Sequence, residues 1–95
     1  MMIENSLPAF KNYWETLAYK EASAIQEKVY EPLKTGKDVV GISPTGTGKT
    51  VAYTLPTLEQ VEAKAGLQVV ILTPSQELSI QVGEVVQEWA SQLGL

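Results

Sequence analysis

The sequence predicts an α/β fold in which parallel strands are flanked by helices. Three observations carry this prediction. Two short, mostly apolar runs, residues 39–42 and 67–72, are of buried-strand type, amphipathic helical patterns lie before, between and after them, and Gly or Pro punctuates the junctions. Strands that alternate with helices imply a layered structure with right-handed crossovers.

Taking the elements in order, Leu7, Phe10, Trp14 and Leu17 recur at three- and four-residue steps, which predicts a helix over about residues 8–18 with Pro8 in its first turn. Ser23 and Gln26 have the spacing of a capping box, and Ile25, Val29 and Leu33 then repeat along a second helix that Pro32 should kink or shorten. The turn cluster at 35–38 leads into the first apolar run. After it comes Ser43-Pro44-Thr45-Gly46-Thr47-Gly48-Lys49-Thr50, and residues 50 to about 65 read as a third helix with Pro56 as an irregularity. Gly66 introduces the second run, which ends at Thr73-Pro74, because Pro bars continuation of a central strand. Leu78, Val82, Val85, Trp89 and Leu93 keep a helical period up to Gly94, which stands where a C-terminal cap would. The predicted order is α, α, β, α, β, α.

Composition excludes whole chemistries. The 95 residues contain no Cys, no His and no Arg, and a single Asp, Asp38. That removes disulfides, zinc fingers, thiol nucleophiles, the Ser-His-Asp triad and paired-Asp catalysis. A net charge of −4 gives no basic footprint for holding nucleic acid by charge alone. No apolar run approaches the roughly 18 residues of a membrane span, and the start lacks the basic flank and apolar stretch of a signal peptide. The expectation is a single cytoplasmic domain, or part of one, with no membrane partner.

The segment 43–50 carries the chemistry. Glycines allow consecutive backbone N–H groups to converge on phosphate oxygens, and the following helix adds its partial positive charge and free N–H groups. Lys49 would reach the β- and γ-phosphates of a nucleotide, and the Thr50 hydroxyl would be a ligand of Mg²⁺. The strict pattern G-x-x-x-x-G-K-[ST] fails at its first position, which is Ser43. Five specified positions, Thr45, Gly46, Gly48, Lys49 and Thr50, would coincide by chance with a probability on the order of one in ten thousand. The structural alternative is a Gly/Thr-rich surface turn.

With these residues the chain resembles the DEAD-box family of ATP-dependent RNA helicases. That family's phosphate loop reads A-x-T-G-x-G-K-T, so Ser43 is a mild departure. The family also carries an upstream adenine-recognition motif, aromatic-x-x-Pro-[Ser/Thr]-x-Ile-Gln, which residues 19–26 match from Tyr19 to Gln26 with Ala22 in place of Pro. The resemblance implies that Gln26 hydrogen-bonds the adenine edge and that Tyr19 stacks on the base. From the residues alone, Gln26 reads as a capping-box partner of Ser23, and Tyr19 as a core aromatic between two helices. A third family segment, Pro-Thr-Arg-Glu-Leu-Ala, appears as residues 74–79, with Pro74, Ser75 and Gln76 at the positions that contact the RNA backbone. Gln76 there lacks the guanidinium charge and fork of an Arg. Read locally, 75–77 is the first turn of the last helix with Ser75 as N-cap.

The resemblance further implies a partial, truncated RecA-like sheet of the phosphate-loop NTPase type, with residues 1–95 as the N-terminal part of an ATP-binding domain. Its cofactors would be ATP and Mg²⁺, and its partner in the full-length protein RNA. The Asp-Glu-Ala-Asp box that positions the attacking water is not in these residues, so the segment itself is expected not to hydrolyse ATP. In such sheets the two runs are normally separated by strands that come later in the chain, so exposed sheet edges and self-association through them are also expected. Two other functions stay open: a non-catalytic ATP-binding or interaction module, and another phosphate-loop enzyme such as a small-molecule kinase.

Overall fold

The computed structural model describes residues 2–17 and 21–95, and within them the regular structure is four helices: α1 (Pro8–Thr16), α2 (Ala24–Lys34), α3 (Lys49–Leu58) and α4 (Gln76–Ser91). Local chemistry accounts for most of their ends. Pro8 opens α1, where its fixed φ suits the first turn and its missing N–H costs nothing. Ser23 and Gln26 form the capping box at the start of α2: the Gln26 amide oxygen accepts from the Ser23 N–H at 2.8 Å, and the Ser23 hydroxyl accepts from the Gln26 N–H at 3.5 Å. Ser75 caps α4, its hydroxyl accepting from the Leu78 N–H at 3.1 Å. At the other end Gly94 takes φ +73°, and the Leu95 N–H donates back to the Ala90 carbonyl at 3.1 Å, in the manner of a Schellman closure.

The two internal prolines act differently from each other. Pro32 lies in the last turn of α2, which runs on to Lys34, so the one hydrogen bond it forfeits does not end the helix. Pro56 is near the end of α3, which stops at Leu58 and not near residue 65 as the periodicity suggested. The Gln60 side chain folds back there, its amide donating to the carbonyls of Pro56 at 2.9 Å and Leu33 at 3.0 Å. It thus satisfies end carbonyls of α3 and α2 together, and the chain turns away through Gly66.

Helix α3 is the centre of the molecule and packs on both α2 and α4. Six of its ten residues are buried, Val51, Ala52, Thr54, Leu55, Pro56 and Leu58, as a helix covered on several sides requires. Around it lie Phe10, Trp14, Tyr30 and Trp89. Trp89 of α4 is met edge-on by Phe10 and Tyr13, with ring centroids 5.5 and 4.9 Å away, and α1 is thereby fastened to α4. The Tyr13 hydroxyl also donates to the Glu88 carboxylate.

The predicted parallel sheet does not form: no strand occurs among the described residues, and the fold is all-helical there. Residues 39–42 and 67–72 have the apolar composition of strands, but no backbone hydrogen bond joins them. A strand exists only through the ladder it makes with a neighbour, and apolar composition cannot supply one. The side chains that a sheet would cover stay in solvent: Val40, Ile42, Leu67 and Leu72 are each close to nine-tenths exposed. The expected self-association through sheet edges falls with the sheet, since there are no such edges among the described residues. No helix among the described residues is long and apolar enough to cross a membrane.

Candidate functional site

The segment 43–50 is a turn that runs directly into the first turn of α3. Gly46 and Gly48 adopt φ of +81° and +76°, conformations that a side chain disfavours, and Gly48 is the residue that caps α3. Gly48 has a second reason to lack a side chain, because a Cβ there would collide with the Gln26 amide nitrogen. The unpaired N–H groups of the first turn of α3 therefore sit at the end of the loop, the arrangement that suits an anion.

The loop is closed by its own side chains. The Lys49 ammonium donates to the Ser43 carbonyl at 2.8 Å, the Thr47 hydroxyl donates to the Pro44 carbonyl at 2.7 Å, and the Ser43 and Thr47 hydroxyls are 2.8 Å apart. Thr47 has one hydroxyl proton, already given to Pro44, so Ser43 is the donor in that last pair. Thr45, Gly46 and Lys49 are exposed, and Thr50 is half-buried, its carbonyl accepting from the Thr54 hydroxyl at 2.6 Å.

The N-terminus of α2 is tied to this loop by two hydrogen bonds. Ser23 donates its hydroxyl proton to the Thr47 carbonyl at 2.6 Å, and the Gln26 amide nitrogen donates to the Gly48 carbonyl at 3.1 Å. Gln26 is buried and uses both ends of its amide, one on Ser23 and one on Gly48. The local role read from the sequence is present, since the side chain completes the capping box, and the contact with Gly48 of the loop is one the sequence did not indicate. Both ends of the amide being engaged, a further hydrogen bond from Gln26 to any ligand would need at least one of these bonds to be exchanged. Tyr19, assigned to the base, lies outside the described residues.

A cavity of about 230 Å³ adjoins the loop, between Ile25, Val29 and Leu33 of α2 and Lys49, Ala52 and Tyr53 of α3. A larger one, about 550 Å³, lies between α3 and residues 68–72 and is mainly apolar. We assign the chemistry to the loop because the larger cavity contains no charged residue.

Pro74, Ser75 and Gln76 do not join this cluster. They form the start of α4, exposed, with Ser75 engaged as its cap, and no hydrogen bond connects them to 43–50. Sequence reasoning missed a second buried polar cluster, in which the Tyr30 hydroxyl donates to Glu59 at 2.8 Å and also lies 3.0 Å from the Asn5 carbonyl, while Lys34 pairs with Glu59 at 3.5 Å. Burial, and then the hydrogen bond to Glu59 and its charge, hold the Tyr30 phenol well above its ordinary range. No local signal announces this group, because Tyr30 lies 25 residues from Asn5 and 29 from Glu59.

Comparison with known proteins follows the same residues. A family model described as DEAD/DEAH box helicase matches residues 23–95. The chain is 39% identical over 88 residues to a probable ATP-dependent RNA helicase, YfmL, of Bacillus subtilis, a match that covers 92% of this chain and 23% of that protein. It is 40% identical over 91 residues to the DEAD-box ATP-dependent RNA helicase CshC of Bacillus cereus, covering 95% and 23% respectively. With ATP-dependent RNA helicase DBP10 of Yarrowia lipolytica the identity is 43% over 76 residues, or 77% of this chain and 8% of that protein. The chain therefore spans about a quarter or less of the length of these relatives.

Proposed function

The chain belongs to the DEAD/DEAH box helicase family, and on that premise we propose that residues 19–50 bind ATP for an ATP-dependent RNA helicase of which residues 1–95 are the N-terminal part. The observation that carries this reading is the loop itself: Gly46 and Gly48 with positive φ, Lys49 opening α3, and Gln26 hydrogen-bonded to Gly48. The loop N–H groups and the Lys49 ammonium would take the phosphates, and Gln26, with Tyr19, the adenine.

The Thr50 hydroxyl is a hard oxygen donor in the first turn of α3, a fit for one position of Mg²⁺, with phosphate and water oxygens for the others. No cluster of three metal-binding side chains occurs among the described residues, so Thr50 would be this segment's contribution. Bound Mg²⁺ supplies neutralisation of phosphate charge. Asp38 is the sole Asp and there is no Arg, so we assign binding and not hydrolysis to residues 1–95 alone. At the start of α4, Ser75 and Gln76 would meet an RNA phosphate through hydrogen bonds, more weakly than an Arg would.

The test is ATP binding and RNA-stimulated ATPase activity of the intact protein, with and without Lys49→Ala. Loss of both in the variant is expected, and turnover equal to wild type would refute the role of Lys49. Turnover by purified residues 1–95 that Lys49→Ala abolishes would refute the division between binding and hydrolysis.

A further inference from the structure

We infer that Ser43 is a latch on the phosphate loop: its hydroxyl, donated to Thr47, holds the loop closed around the Lys49–Ser43 contact, and nucleotide binds only as the Ser43–Thr47 hydrogen bond breaks. The inference rests on the ATP-binding reading above and adds to it a residue that sets the affinity.

The chemistry of an anion site requires N–H groups to face inward and the ammonium to be free for the anion. Here the Lys49 ammonium is held by the Ser43 carbonyl at 2.8 Å. A phosphate oxygen and that carbonyl oxygen would compete for the same cation and repel each other, so the closed loop is a state that nucleotide must displace. Ser43 contributes to closure twice, through its carbonyl on Lys49 and through its hydroxyl, which donates to Thr47 across the turn. Thr47 is fixed in turn by donating to the Pro44 carbonyl at 2.7 Å, and its own carbonyl accepts from Ser23 at 2.6 Å. The carbonyl contact would survive any substitution of the side chain, but the hydroxyl contact would not. The family pattern has Ala at this position, which offers no hydroxyl, so the pattern itself does not require the latch.

A state that must be displaced lowers apparent affinity in proportion to its population. If the bond is made in the closed loop and broken in the open one, as the latch requires, removing it shifts the balance toward the open one. A bond of ordinary net strength corresponds to about three- to tenfold in Kd.

The experiment is titration of the intact protein with ATP by calorimetry, for wild type and four variants, with far-UV circular dichroism to check that each is folded. Ser43→Ala is expected to bind ATP about three- to tenfold more tightly, and Ser43→Thr, which keeps the hydroxyl, to stay within about twofold of wild type. Thr47→Val should tighten binding in the same direction. The double variant Ser43→Ala/Thr47→Val should bind less tightly than the product of the two single effects, because both remove the Ser43–Thr47 bond, while Thr47→Val alone also removes the bond to Pro44. Hydrogen exchange gives a second reading without nucleotide: amides of 44–48 should exchange faster in Ser43→Ala. Unchanged or weaker ATP binding in Ser43→Ala, with wild type binding normally, overturns the latch and leaves the ATP site standing. Absence of ATP binding in wild type overturns the ATP site, and the latch with it.

Discussion

Replacing Gln26 with Glu changes one atom group, the amide nitrogen, which with the Ser23 hydroxyl is one of the two groups that bridge α2 to the phosphate loop. The amide oxygen keeps its bond from the Ser23 N–H, so the capping box survives. The nitrogen that donated to the Gly48 carbonyl at 3.1 Å becomes a second carboxylate oxygen, and two acceptors then face each other. One lost hydrogen bond is worth about 0.5 to 1.5 kcal/mol. A charge placed on a side chain only 5% exposed costs more, and the N-terminus of α2 returns roughly 0.3 to 1 kcal/mol of that. We expect a net loss of about 2–3 kcal/mol at neutral pH, against a total stability of about 5–14 kcal/mol for a domain of this size. Burial and the facing carbonyl raise the new carboxyl's folded pKa above the unfolded value of about 4.3. The variant's deficit should therefore be small below about pH 4, where the protonated carboxyl can donate to Gly48 as the amide did, and should grow as pH rises through the folded pKa. Urea denaturation of wild type and Gln26→Glu, followed by circular dichroism between about pH 3.5 and 8, measures the difference directly. A deficit that is independent of pH, or absent at neutral pH, would refute the bridging role of the amide nitrogen.

Gly48→Ala forces a side chain into φ +76° and against Gln26, and should lower stability by about 1–3 kcal/mol in the same urea assay while raising the Kd for ATP. Trp89→Ala empties the contact of α4 with Phe10, Tyr13 and Trp14, and a loss of about 3–5 kcal/mol is expected, seen as a large drop in the urea midpoint. Because the fold raises the Tyr30 pKa, the protonated phenol stabilises it fully below the unfolded value of about 10, and stability falls as pH rises from there toward the folded value. Thermal melts above about pH 10 should show a steeper decline for wild type than for Tyr30→Phe, and equal slopes would remove Tyr30 from that account.

Local chemistry makes a good part of the fold and the site legible in the sequence. Ser23 with Gln26, Ser75, Pro8 and Gly48 act within a few residues of themselves, and each stands where its hydrogen bonds or dihedral preference put it. Periodicity overran at α3, because the apolar pattern past Pro56 continued while the backbone did not. The link from Gln26 to Gly48 was not legible in the sequence at all, since its partners lie 22 residues apart and nothing in the spacing of either announces the other. Ser43 was visible as a departure from the family pattern, but its bond to Thr47 depended on how the loop closed.

By itself the sequence determined the helix starts, the glycine-dependent turn before α3, the excluded chemistries and the family. Each of these depends on neighbouring residues or on residue type alone. The tertiary structure decided three things that depend on distant partners. Residues 39–42 and 67–72 stay unpaired, Gln26 and Ser23 tether the loop, and Tyr30 is buried on Glu59. A side chain carries its own conformational preference wherever it stands, whereas a strand ladder or a buried hydrogen bond requires a second group brought to it by the rest of the chain.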